Sequence, residues 1–360
     1  MKSDYSAVDR FLHRVALGNL ELQKSLADME SRIHAALLKQ TPAERPVFIT
    51  SLPRAGTTLL LEVVNDTGAF ASHTYRDMPF VLCPLLWNSV SRGFRRNSEA
   101  RERAHGDGMM VGYDSAEAFE EVLWKAFWPQ KYGADRILTW SHLDRDPEFE
   151  EAFASHLRKV IAVRAGGAGI KLRYLSKNNA NTTRLALLAE LFPDCTILIP
   201  FRNPADHAGS LARQHENFLA RHAQDPFSQT YMEWIGHYEF GRAFRPIAFL
   251  DEDTGDPADP DYWLDYWDRG FRHVLRHAPS QAVFIDYDLL CERPGDGLAR
   301  IADALRVPRQ ILQSQSGRFR PSNHYEPGAA SPLWARAQET YAMLQARTSE
   351  PVPELTEASA

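Results

Sequence analysis

Pro53-Arg54-Ala55-Gly56-Thr57-Thr58-Leu59-Leu60 is the stretch whose reading decides the fold. The apolar run before it, Val47-Phe48-Ile49-Thr50-Ser51, predicts a short buried strand. After it, Leu59-Leu60-Leu61-Glu62-Val63-Val64 predicts a helix that stops near Gly68. Strand, tight turn and helix together aim backbone N–H groups and the positive end of a helix dipole at an anion. Gly56 lets the backbone come close to such a ligand. Thr57 and Thr58 add hydroxyl donors, and Arg54 adds a forked cation. The turn from Arg54 through Ala55, Gly56, Thr57 and Thr58 therefore reads as a cradle for a phosphate or a group like one.

The cradle is not the usual nucleotide loop. G-x-x-x-x-G-K-[ST] puts a lysine directly before the hydroxyl residue, whereas here Thr57 follows Gly56 and the cation lies two residues before the glycine. No G-x-G-x-x-G follows a predicted strand, so a dinucleotide fold has no support. A second junction has the same logic. Phe192-Pro193-Asp194 closes a helical stretch, Thr196-Ile197-Leu198-Ile199-Pro200-Phe201 predicts another buried strand, and Arg202-Asn203-Pro204-Ala205-Asp206-His207-Ala208-Gly209-Ser210 follows. Pro204 suits the first turn of a helix. Arg202 at the strand's carboxyl end and Ser210 two turns into that helix are placed to meet one anion. An ordinary strand-to-helix junction is the alternative for each segment.

P-R-x-G-T-T-L resembles the 5′-phosphosulfate loop of sulfotransferases that use 3′-phosphoadenylyl sulfate (PAPS). Arg202 with Ser210 resembles their 3′-phosphate motif. Between them, Leu175-Ser176-Lys177-Asn178-Asn179-Ala180-Asn181, followed by Leu185 to Phe192, is similar to the family's middle strand and helix. With three matches in family order, the chain is identified as a member of the PAPS-dependent sulfotransferases of bacterial type. The resemblance is specific over residues 46–66 and 170–215, and loose over Phe284-Ile285-Asp286-Tyr287-Asp288-Leu289-Leu290, similar to a late strand ending in Y-[ED]-x-L.

That resemblance implies sulfuryl transfer from PAPS, leaving PAP, to a hydroxyl of a carbohydrate, lipid headgroup or small metabolite, with no metal. Arg54 and Thr57 would stabilise charge on the leaving oxygen, Thr58 would complete the cradle, and Lys177 would stand near the sulfonate. Ser316-Gly317-Arg318-Phe319 resembles the loop that closes over the nucleotide, with Arg318 meeting the 3′-phosphate and Phe319 the adenine; surface arginines are the alternative. The chain departs from the family at the base. Many members carry a histidine after the middle-strand lysine, and here Asn178, Asn179 and Asn181 stand there, none of which accepts a proton. Other branches place a glutamate some 20 residues past the phosphosulfate loop. That window holds His73-Thr74-Tyr75-Arg76-Asp77, which makes His73 the first candidate, on its ordinary titration range, and Asp77 the second. Asp77 as a cap for a helix starting at Met78-Pro79 is the competing reading. His105-Gly106-Asp107-Gly108 and Glu117, Glu120 and Glu121 either face an acceptor pocket or, for the three acids, form a solvated helix face. Two rival functions stand beside transfer: a P-loop kinase or NTPase, and a non-catalytic relative that binds a nucleotide or a partner protein.

Around these motifs, strands interleaved with helices of 10–20 residues predict an α/β fold. It has three layers, a central parallel sheet flanked by helices, P-loop-like with helical insertions. Residues 1–45 read as a helical extension broken near Gly18-Asn19 and packed on the core. Residues 46–360 read as the catalytic domain, with a lid or acceptor-site insertion around 78–165. Helices are expected over 78–90, 116–128, from Asp146-Pro147, and over 204–222, 227–243 and 261–277, with a loop at 91–113. With 360 residues, 44% hydrophobic and a net charge of −6, the chain can bury a large core and carries no bulk basic field for nucleic acid. Cys83, Cys195 and Cys291 are scattered and match neither a disulfide framework nor a metal set, and the spacings of His73, His105, His142 and His156 match none either. No signal peptide or 18-residue apolar window is visible, so a cytoplasmic enzyme is expected.

Overall fold

The computed structural model describes residues 7–91, 101–102, 110–111, 116–167, 169–249, 255–321 and 331–351. His105-Gly106-Asp107-Gly108, most of the 91–113 loop and Asp114 lie outside them.

Among the described residues there are seven strands: β1 Val47–Ile49, β2 Phe70–Ala71, β3 Arg101–Glu102, β4 Met110–Val111, β5 Arg173–Lys177, β6 Thr196–Phe201 and β7 Ala282–Asp286. Five of them form one sheet in the order β2-β5-β1-β6-β7, and every pairing in it is parallel. β3 and β4 form a separate antiparallel pair. β1 sits in the middle because Val47, Phe48 and Ile49 are apolar on both faces, the mark of a strand covered twice. Its alternation sorts the core. Val47 and Ile49 join Leu175, Leu198 and Ile285 under Leu60, Leu61 and Val64 of the helix Thr57–Asn65 and Leu298 and Ile301 of the helix Pro294–Leu305. Phe48, Tyr174, Ile197 and Phe284 face the other way, toward Phe149, Phe153 and Leu157 of the helix Pro147–Ala165 and Trp267 and Phe271 of the helix Tyr262–His277. The result is the three-layer α/β arrangement expected from the sequence.

Element boundaries differ where backbone geometry overrides apolar pattern. The 78–90 segment is helical only over Pro84–Ser91, after a 3₁₀ turn at Tyr75–Asp77. Asp77 does not cap a following helix: its carboxylate accepts from Thr74 N at 3.0 Å, closing the turn behind it. The expected 227–243 helix ends at Trp234, because Gly236 and Gly241 take φ of 79° and 70°. The helix Pro332–Thr348 carries no signal that the sequence motifs pick out; it packs across the Tyr262–His277 helix, with Thr340 Oγ1 donating to Asp268 at 2.5 Å.

The N-terminal helices Ala7–Leu17, Leu20–Ile33 and Ala35–Gln40 dock through buried polar groups. Gln23 donates to the carbonyls of Ala16 and Pro79 and accepts from Leu82 N, and Lys159 meets Glu30 at 3.4 Å. Among the described residues no helix is long and apolar enough to cross a membrane.

Candidate functional site

The sheet changes direction of growth at β1: β5 lies on one side and β6 on the other. Ligands of open parallel sheets bind beyond the carboxyl ends of the strands at such a point. The turn after β1, Lys177 at the end of β5, Arg202 after β6 and Tyr287-Asp288 after β7 all emerge there.

The first turn is built on two left-handed residues, Arg54 with φ 71° and Gly56 with φ 86°, the latter opening the helix Thr57–Asn65. Arginine in that region carries backbone strain, which the surroundings must hold. A Cβ on Gly56 would sit 2.1 Å from the Tyr287 ring, so only glycine fits under that ring. Thr57, at the first helical position, donates to Asn179 Oδ1 at 3.3 Å.

The two anion motifs touch. Arg54 Nε donates to Ser210 Oγ at 3.3 Å, and Arg202 reaches the Arg54 carbonyl at 3.5 Å. His207 adds a third link, its Nε2–H donating to the Pro53 carbonyl at 2.7 Å while its Nδ1 accepts from Trp267 Nε1 at 3.0 Å. Burial and then the neighbouring Arg202 and Arg54 charges push the His207 imidazole down to about 3, so the ring stays neutral in this arrangement. Asp288 accepts from Asn203 N at 2.7 Å and pairs with Arg202 at 3.4 Å, and burial pushes its carboxyl up against these favourable contacts. Asn203 caps the next helix, Pro204–Gln224, with its side chain 2.9 Å from Ala205 N, and Pro204 fills the first position as expected. Arg54, Ala55, Gly56, Thr57, Thr58, Arg202 and Ser210 are thereby gathered at one end of the sheet.

Beside this cradle lies a cleft. Its lining includes the cationic and hydroxyl groups of Arg54, Thr57, Thr58 and Lys177. Glu117, His237 and Glu239 line it too, with the apolar side chains of Phe218, Met232 and Phe240. Asn179 links two of these groups, accepting from Thr57 and donating to Glu239 Oε1 at 3.3 Å.

Other sequence candidates fall elsewhere. His73 is 2% exposed, with Nδ1 3.0 Å from Asp77 and Nε2 2.8 Å from His156 Nε2. Asp77, equally buried, also pairs with Arg164. Burial alone would raise the Asp77 carboxyl, but the His73 hydrogen bond and the Arg164 charge hold it down to about 2, the opposite of a base awaiting a proton. Neither His73 nor Asp77, the two base candidates, lines the cleft; the structure places them instead in a buried network with His156 and Arg164. Arg318 pairs with Glu62 and Asp66 on the flank of the Thr57–Asn65 helix rather than with Ser210. Phe319 is buried against Tyr287, 6.2 Å between ring centroids.

The three acids also divide. Glu120 and Glu121 are 1% exposed, not a solvated face. Glu121 pairs with fully buried Arg184 and accepts from Asn178 at 2.7 Å, and Glu120 accepts from Asn181 at 2.9 Å and Tyr174 at 3.1 Å. Two of the three asparagines after Lys177, Asn178 and Asn181, thus anchor this network, while Asn179 turns to the cleft. Only Glu117 reaches the cleft. His207, His237 and Glu239 are the residues that sequence reasoning missed. His207 lay inside the Arg202–Ser210 segment, but His237 and Glu239 fell within a stretch read as helix.

A family model described as "Sulfotransferase family" matches residues 46–311, about three-quarters of the chain. Among solved structures, a sulfotransferase from Mycobacterium avium aligns over 98% of this chain and 88% of its own, at 15% identity and a TM-score of 0.52. A second, from Mycobacterium tuberculosis H37Rv, aligns over 97% and 88% at 16% identity, with a TM-score of 0.48. The first supports the shared fold. No curated protein matches the sequence significantly.

Proposed function

The chain belongs to the sulfotransferase family, and from that premise we propose that it moves a sulfuryl group from PAPS to a hydroxyl of a carbohydrate, lipid headgroup or small metabolite. The observation that carries this reading is the direct contact between the two anion loops, Arg54 to Ser210 and Arg202 to the Arg54 carbonyl. One nucleotide with a phosphosulfate at one end and a 3′-phosphate at the other spans such a pair.

In-line transfer asks a protein mostly to position the partners and neutralise charge. The acceptor oxygen bonds to sulfur as the bond from sulfur to the bridging phosphate oxygen breaks, and the electron pair stays on PAP. Donors fixed at that oxygen before the reaction stabilise the charge as it develops. Arg54, Thr57 and the N-terminus of the Thr57–Asn65 helix are assigned that task, with Lys177 at the sulfonate and Arg202 and Ser210 at the 3′-phosphate. Phe218, Met232 and Phe240 favour an acceptor with an apolar body beside its hydroxyl.

Calorimetric titration with PAP tests the donor assignment. Each charged contact contributes about 1.5–3 kcal/mol, so Arg202→Ala and Ser210→Ala are expected to weaken PAP roughly ten- to a hundredfold. Unchanged affinity in both variants would overturn it.

A further inference from the structure

With His73 and Asp77 sealed in the core, the proton released by the acceptor needs another destination. Three groups able to take it line the same cleft as Arg54, Thr57 and Lys177: Glu117, His237 and Glu239. Glu117 is committed at both oxygens, accepting from Tyr75 Oη at 2.6 Å and from Ala118 N at 2.8 Å. Glu239 accepts from Asn179.

His237 differs in kind. Its Nε2 lies 2.8 Å from the carbonyl oxygen of Ala118, which can only accept, so Nε2 carries the proton and in the neutral ring Nδ1 carries the lone pair. The backbone holds the ring there. Gly236 turns the chain with φ 79°, in a place where a Cβ would lie 2.6 Å from Glu121 Cγ, and His237 N donates to the Met232 carbonyl at 2.9 Å. The residue that receives Nε2 is itself held on its other side, since the Ala118 N–H donates to Glu117 Oε1 at 2.8 Å.

We infer that His237 is the catalytic base of the transfer, its Nδ1 taking the acceptor's proton, an assignment that rests on the sulfuryl-transfer reading above. The acceptor O–H bond breaks toward Nδ1 as the new S–O bond forms, and the S–O bond to the bridging phosphate oxygen breaks with its electrons left on PAP. The imidazolium so formed shares the cleft with Glu117 and Glu239, whose carboxylates favour its charge, and with Arg54 and Lys177, the cations assigned to the donor. The proton then passes to water. Asn179 becomes a positioning residue in this scheme, fixing Glu239 relative to Thr57.

The test uses the full chain with PAPS alone, water serving as acceptor, and follows PAP release; PAP binding is measured in parallel. His237→Ala removes the base, and His237→Gln keeps an N–H that reaches toward the Ala118 carbonyl without supplying a base. Both variants are expected to bind PAP within about twofold of wild type and to release PAP at least about thirtyfold more slowly, within the range general bases supply. The acid limb of the wild-type rate against pH is expected to be missing from the residual rate of His237→Gln. Rates within about threefold of wild type, an acid limb kept in the Gln variant, or a wild type that binds PAP yet leaves PAPS decay at its background rate would each overturn the assignment. A wild type that does not bind PAP would instead strike at the donor reading.

Discussion

Gly56 shows how one residue without a side chain sets the geometry of the site. Its φ of 86° and the Tyr287 ring 2.1 Å from where a Cβ would stand impose two separate penalties on any substitution. Gly56→Ala is expected to cost about 2–4 kcal/mol of stability, from left-handed strain and overpacking together. The two penalties separate in a double-mutant cycle: in a Tyr287→Ala background the Gly56→Ala cost should shrink toward the strain alone, as read from urea unfolding of the four proteins. Strictly additive costs would show that the ring does not bear on the glycine. Gly56 itself was legible in the sequence because its neighbours, Arg54 and Thr57, announce a turn. Tyr287 was visible only as part of a loose late-strand match, since nothing in a linear pattern says which residue will lie over which glycine. The surroundings of His73 are hidden for the same reason: its spacing from the loop fits a base, but only packing decides that both ring nitrogens have partners, Asp77 and His156.

Between elements, buried charge does the joining. Arg184, which precedes the helix Leu185–Leu191, lies with its guanidinium 4.0 Å from the Trp124 ring centroid and pairs with Glu121 of the helix Glu121–Phe127. Removing one partner of a buried pair strands the other's charge, which typically costs about 3–5 kcal/mol. Arg184→Ala is therefore expected to lower the urea midpoint markedly, and the Arg184→Leu, Glu121→Leu double variant to recover part of the loss. If Arg184→Ala unfolds at the wild-type midpoint, the pair is not holding these helices. Strands β1 and β6 and the helices after Asp146 and Asn203 were readable because apolar runs, N-caps and Pro at the first position act locally. The segment after Trp234 was not, because its apolar spacing continues a helical pattern that Gly236 ends.

At the scale of the whole molecule, acid should act through histidines that fold neutral. Burial pushes His207 down to about 3 and His273 to about 4, and it lowers His156 well below its ordinary range. Each takes up a proton more readily unfolded than folded. Their contribution to stability is therefore complete above the unfolded value near 6.5 and is lost as pH falls below it, at up to about 1.4 kcal/mol per pH unit for each. Asp77, held near 2, adds a loss of the same sign below about pH 4. Urea midpoints between about pH 7.5 and about pH 4 should decline steadily from about pH 6.5 downward, and a flat profile would mean these rings are solvated in the fold. The arrangement of parallel strands under two helical layers was predictable from alternation of element types; the convergence of the ends of β1, β5, β6 and β7 at one end of the sheet needed the strand order, which no local pattern encodes. That convergence gives the dipeptide Tyr287-Asp288 two clients at once, the glycine of one loop and the arginine of the other. Adding or deleting a single residue at the end of β7 would swing both side chains off their targets together, so the length of that short junction is fixed by two loops at once.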